Sequence, residues 1–269
     1  MKAAVVIPVY KSPDSDESIS LRRCCVVLSK YDLVLVGPQT YDFKQFHEIA
    51  DEYGTNLKEE RFPDSFFKGI SGYNRLMLSE MFYRRFRTYD YILIYQLDAY
   101  VFEDQLEYWC QQGYDYIGAP LIGHYTNTEY SFDMTMRVGN GGLSLRKVDS
   151  FLNFFSGTRN VLNGSQIAHN IALWKKPWTR MFVWLFMMCG WRNKPSSVSD
   201  EWKYNEDDFW SGFLDGSRYS MSKPSPNEAL LFAFERFPKE MFKRIHGLPF
   251  GCHAWKKYEY EIFWNKYIR

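Results

Sequence analysis

Short apolar runs alternate with helix-spaced patterns along the first 120 residues of the chain. Residues 3–7 are continuously apolar and stop at Pro8, which predicts a buried strand. Residues 19–28 predict a helix whose apolar positions gather toward its end. Residues 33–36 predict a second strand, closed by Gly37-Pro38. Asp42 and Gln45 have capping-box spacing, and Phe43, Phe46, Ile49, Ala50 and Tyr53 follow at helical intervals until Gly54 stops them. Tyr73, Leu76, Met77, Met81 and Phe82 predict a helix over 72–86. Residues 91–95 are the next strand and run straight into Gln96-Leu97-Asp98. A short helix over 104–110 and a strand over 114–117 complete the series. Such alternation builds an α/β fold, a mostly parallel sheet with helices on both faces, that binds ligands at the carboxyl ends of its strands.

Past Pro120 the pattern weakens. Residues 121–137 have the look of a long loop, and Gly139-Asn140-Gly141-Gly142 then leads into a strand over 143–145. A helix over 148–155 should turn Val148, Phe151, Leu152 and Phe155 inward. Another helical stretch covers 178–189, and a polar connector over 191–204 ends in Asn205-Glu206-Asp207-Asp208. No linker divides the chain, so one domain over 1–269 is expected.

Charge narrows the partners. The 269 residues carry 33 Lys and Arg against 32 Asp and Glu, a net charge of +1, which argues against nucleic acid. Five cysteines at unpaired spacing suggest neither a disulfide framework nor a zinc site. The first apolar run is too short for a signal peptide, and the longest, over 181–189, is about half of a bilayer span. These features fit a cytoplasmic protein without a transmembrane segment. Aromatic residues make up 19% of the chain, which suits either a wide ligand cleft or a large core.

Several groups could carry chemistry. Asp98 is a carboxylate at the carboxyl end of a strand, suited to a hard divalent cation or to sugar hydroxyls, with Gln96 and Tyr100 beside it. A turn aspartate or helix cap is the plainer account of it. Gly139-Asn140-Gly141-Gly142 lets backbone approach a ligand or adopt dihedrals closed to other residues, with Asn140 as its hydrogen-bonding member. It matches neither a P-loop nor a dinucleotide fingerprint. Glu206-Asp207-Asp208 could open a helix favourably or hold one acid poised as a general base. His246 or His253 could join Asp98 at a cation; His47, His124 and His169 rank lower, and Cys252 has no activating third partner.

Tyr91 to Ala99, Gly113 to Pro120 and Val138 to Arg146 together resemble a bacterial and viral family of uncharacterised function that is similar to glycosyltransferases of the GT-A fold. Tyr73-Asn74-Arg75-Leu76, Asn205 to Trp210 and Leu248 to Trp255 extend the resemblance over about residues 30–260. It implies a GT-A-like sheet, with a nucleotide-sugar-binding half over 1–120 and an acceptor-side half over 121–269. Gln96-Leu97-Asp98 stands where such enzymes carry Asp-x-Asp, so only the second acid is kept. One carboxylate is a poor cage for Mn²⁺ or Mg²⁺ unless His246 or His253 contributes. The resemblance also implies that Gly141 and Gly142 line a sugar and that Pro8 and Tyr10 touch the base. It sets Tyr73, Asn74 and Arg75 near ribose or phosphates, and makes Glu206 or, preferably, Asp207 the base of an inverting transfer. The expected partners are a nucleotide-sugar and a glycan or lipid-linked acceptor. The stretch from Trp174-Lys175-Lys176-Pro177-Trp178 to Trp191-Arg192 could touch the inner face of a membrane, although a core helix with charged ends accounts for it better. A binding protein without catalysis, favoured by the missing acid at Gln96, is the main alternative, followed by a nucleotidyltransferase.

Overall fold

Ala4, Val5, Val6 and Ile7 are all fully buried, because the strand they form has helices against both of its faces. The computed structural model describes residues 1–122, 137–172 and 177–268. Along it run β1 (Ala3–Pro8), α1 (Ser15–Val27), β2 (Asp32–Pro38), α2 (Lys44–Asp51), β3 (Leu57–Phe62), α3 (Gly69–Met77) and α4 (Glu80–Arg85). Then come β4 (Tyr91–Tyr95), α5 (Leu106–Gln111), β5 (Tyr116–Gly118), β6 (Leu143–Lys147), α6 (Val148–Phe155), α7 (Gly164–Ile171) and α8 (Pro177–Met188). The six strands form one sheet in the order β3-β2-β1-β4-β6-β5. β1, β2, β3 and β4 are parallel, and β6 runs antiparallel to both β4 and β5. The fold is α/β, with a mixed, mostly parallel sheet between two helical layers. Val5, Ile7, Leu35 and Leu93 pack with α1, α2 and α5, while Val6, Val34, Ile92 and Ile94 pack with α3, α4 and α6. A third cluster gathers Trp255, Phe263 and Trp264 beside a small sheet of Tyr100–Val101, Ala233–Phe234 and Gly251–Cys252.

The strand order places the ligand edge. From β1 the chain steps outward to β2 and β3, then returns to lay β4 on the other side of β1. A crevice opens at such a reversal, beyond the carboxyl ends of the strands. Because β6 is antiparallel, its first residue meets the last residue of β4, Leu143 opposite Tyr95. Gly141 and Gly142, just before β6, therefore reach the same edge as Pro8 and Gln96.

Some elements differ from the pattern-based expectation. The Asp42–Gln45 box does not form: Phe43 caps α2 without a side-chain bond, and Asp42 instead accepts from Lys44 N at 3.0 Å. The helix expected over 72–86 is two, since Ser79 ends the first and caps the second through Phe82 N. The break turns Met81 to solvent. β3 was not visible in the apolar pattern, because Leu-Lys-Glu-Glu-Arg-Phe buries only its first and last residues at the sheet edge. In α6 Phe154 is buried, whereas Leu152 and Phe155 are only partly covered. α8 forms as expected but is no core helix: Val183, Trp184 and Met187 pack inward, while Trp178, Met181, Phe182, Leu185 and Phe186 are exposed. No helix among the described residues is long and apolar enough to cross a membrane. The loop expected over 121–137 falls mostly outside the described residues, as do His124 and Trp174-Lys175-Lys176.

Candidate active site

A cavity of about 730 Å³ opens at the switch-point edge. Pro8, Tyr10, Tyr73, Asn74, Gln96, Asp98, Asn140, Gly141, Gly142, Glu206, Asp207 and His253 all line it. Two predicted residues do not. Arg75 is exposed and donates to the Ser65 carbonyl at 3.3 Å. His246 is exposed at the C-terminal cap of the helix Pro238–Ile245, in a left-handed conformation with φ 56°.

Three consecutive acids on the helical turn Glu206–Asp208 have three different fates. Glu206 is buried and its Oε1 accepts from Arg146 Nη2 at 2.7 Å. That arginine is fully buried on β6 and also donates to Ser144 Oγ and Tyr83 Oη. Asp208 pairs with Arg137 on the outer side. Asp207 between them has no cationic partner among the described residues; Gly141 N donates to it at 3.2 Å and Asp208 N at 2.8 Å. Burial, then the charges of Glu206 and Asp208, push its carboxyl up to about 7, against the pull of those two amides. It is therefore a carboxyl that exchanges a proton near neutrality.

The other side of the cavity is an ion triplet. His253 Nε2 lies 3.2 Å from Asp98 Oδ1, and Nδ1 lies 3.6 Å from Glu235 Oε1. Burial lowers the proton affinity of the imidazole, but Asp98 and Glu235 overcome it and raise His253 to about 10. Burial raises Asp98 in turn, and the His253 charge brings it below the ordinary carboxylate value. The Asp98 side chain stays 52% exposed, toward the cavity. Lys11 and Lys257 also line the cavity, Lys11 in ion pairs with Asp14 and Glu17.

Gly141 and Gly142 serve this geometry in a way the motif did not suggest. Neither has a positive φ, so unusual dihedrals are not the reason for glycine. A Cβ on Gly142 would sit 2.0 Å from His253 Nε2, and one on Gly141 would sit 2.5 Å from Glu206 Oε1. The pair makes room for protein side chains, not only for a ligand. Asn140 also turns inward, its Oδ1 accepting from Gly142 N at 3.0 Å to shape the loop.

Tyr73 Oη and Glu206 Oε2, on two residues that line the cavity, are buried without a hydrogen-bond partner, as are the Nε1 atoms of Trp109, Trp210, Trp255 and Trp264 in the core, and neither ring nitrogen of His253 has an aligned hydrogen bond. Buried polar atoms are rarely left so unless a ligand or water completes them. Among the described residues no three His, Cys, Asp or Glu side chains converge on a metal position, so side chains alone make no cage for a divalent cation. The sequence did not single out Arg146, Lys11, Lys257 or Glu235. An arginine inside the buried strand Leu-Ser-Leu-Arg-Lys is the one signal that was available, since a charge on a buried strand needs a counter-ion.

Among solved structures, the glycosyltransferase GlyE of Streptococcus pneumoniae matches with a TM-score of 0.49 at 12% identity, over 100% of this chain and 60% of GlyE. Galactosyltransferase LgtC, in complex with donor and acceptor sugar analogs, matches with a TM-score of 0.46 at 11% identity, over 93% and 86%. TarS of S. aureus matches with a TM-score of 0.38 at 13% identity; 57% of this chain spans only 30% of TarS. Likeness at this level is too slight to carry an activity across. No curated protein matches the sequence. One family model does, over residues 56–253, a span that takes in Tyr73, Asp98, Gly141 and Asp207 and ends on the imidazole of the ion triplet. The chain belongs to that family, DUF5672, described as a protein of unknown function.

Proposed function

We propose that this chain is a GT-A-like glycosyltransferase, moving a sugar from a nucleotide-sugar donor to a hydroxyl of a glycan or lipid-linked acceptor with inversion. One observation carries the reading: a carboxyl poised near pH 7, Asp207, lines the same cavity as Asp98, Asn140 and His253. The polar lining of the cavity suits a polyhydroxylated ligand, and Asp207 is the group able to take a proton from it.

Each neighbouring residue then has a task. Asp98 accepts hydroxyls of the donor, and exposed Tyr10 offers its ring to the base at the cavity mouth. Asp207 removes the acceptor hydroxyl proton as that oxygen bonds to the anomeric carbon. The bond from that carbon to the diphosphate oxygen breaks, and its electron pair leaves with the nucleoside diphosphate. His253 and Lys257, which line the cavity, offset the departing charge. Glu206, held by Arg146, keeps the Asp207 turn in place.

Binding and hydrolysis of UDP-, GDP-, CMP- and dTDP-sugars, with and without Mn²⁺, test the proposal on wild type, Asp98→Ala and Asp207→Asn. One donor should bind and slowly release free sugar, with Asp98→Ala weakening the binding. Binding without any turnover of donor to added acceptors would favour a carbohydrate-binding protein. Folded protein that binds no donor under either condition would sink the assignment.

A further inference from the structure

Independently of the cavity, we infer that the exposed face of α8 docks on a membrane surface rich in anionic lipid. Trp178, Met181, Phe182, Leu185, Phe186 and Cys189 recur at helical spacing, and all are exposed. Trp178 is 61% exposed and Phe186 57%. The opposite side, Val183, Trp184 and Met187, already packs on the body, which leaves the apolar stripe uncovered. Isolated surface apolar residues are ordinary, but a contiguous stripe marks an interaction surface. At 12 residues α8 spans about 18 Å, too short to cross a bilayer and suited to lying in its interface. Trp178 and Trp191 stand near its two ends, where indole rings favour the headgroup level.

Charge selects the occupant. From residue 150 to 199 the chain holds no Asp or Glu, while the described residues of that stretch include Arg159, Arg180, Arg192 and Lys194. In a protein with 32 acids among 269 residues, that segment stands apart. Arg192 pairs with Glu201 and Lys194 donates to the Thr158 carbonyl, which hold both near the helix's C-terminal end. An anionic surface meets this segment with complementary charge. A second copy of the chain would bring the same excess of cations against itself.

Cys189 provides the probe, being exposed while Cys24, Cys25, Cys110 and Cys252 are buried. The full chain, labelled there with an environment-sensitive fluorophore, is mixed with vesicles of phosphatidylcholine alone or with added phosphatidylglycerol. Flotation and a blue shift should appear with the anionic vesicles, with affinity roughly tenfold or more above the zwitterionic ones and falling with salt. Phe182→Ser with Phe186→Ser, both solvent-facing, should lower that affinity roughly 100-fold while leaving the circular dichroism unchanged. Equal binding to both vesicle types, or no shift on anionic vesicles, overturns the inference. So does a concentration-dependent dimer that buries the label without lipid, which would make a second copy the occupant.

Discussion

At the scale of single residues, Asp207 couples function to stability through one proton. Its carboxyl is held near 7 in the folded chain against an ordinary value of 3.8. The folded state therefore binds a proton more tightly than the unfolded state, and stability is lost as pH rises through that window. Asp207→Asn should abolish turnover, by roughly 10²- to 10⁴-fold in kcat, while donor affinity stays close to wild type. The same variant should unfold at higher temperature than wild type above pH 7, the gain fading as pH falls toward 3.8. Calorimetry across that range, beside the pH profile of turnover, checks both halves. A wild-type profile flat through pH 7 would remove Asp207 from the base role.

At the scale of elements, β6 shows how a strand can be both core and active-site wall. Its Leu143 and Leu145 pack on one face, and Ser144 and Arg146 point to the other, where Glu206 meets the guanidinium. Removing one member of a buried pair strands the other charge, so Arg146→Met should cost about 3–5 kcal/mol of stability. Combining it with Glu206→Gln should recover most of that loss, read by urea denaturation. Were the double variant as unstable as the single one, the pair would not be what holds the turn. This pair also marks the limit of what sequence reveals. The parallel strands were legible because residues 4–7 and 91–95 are buried on both faces and so are apolar without interruption. β3 was not, because an edge strand exposes Lys58 and Glu59 and reads like a loop. The cavity residues could be nominated one at a time from Gln96-Leu97-Asp98, Gly141-Gly142 and Glu206-Asp207. Which acid stays free depended on Arg146 and Arg137, 60 and 71 positions away, and spacing along the chain carries no trace of that.

At the scale of the molecule, His253 links the C-terminal cluster to the central sheet. Its neighbours Cys252 and Trp255 belong to the cluster of Phe263 and Trp264, while its ring lies against Gly142 and Asp98. The imidazolium is retained in the folded chain up to about pH 10, against 6.5 as its ordinary value. Its stabilisation is complete below 6.5 and disappears as pH rises through 10. His253→Gln should therefore be less stable than wild type in acid and neutral solution, with the difference closing toward pH 10. Denaturation midpoints measured on both sides of that window test it; a difference independent of pH would mean that packing, not charge, is what the ring supplies.

The contact between Gly142 and His253 also sets the order in which the protein can become competent during its synthesis. The sheet is complete once Lys147 has been made, and domains can fold as they leave the ribosome. The cavity wall, however, waits for a residue more than a hundred positions later. Until residue 253 emerges, Asp98 faces water without its cationic neighbour and the floor above Gly142 is open. The last strand of the sheet and the residue that closes the pocket are thus made more than a hundred positions apart.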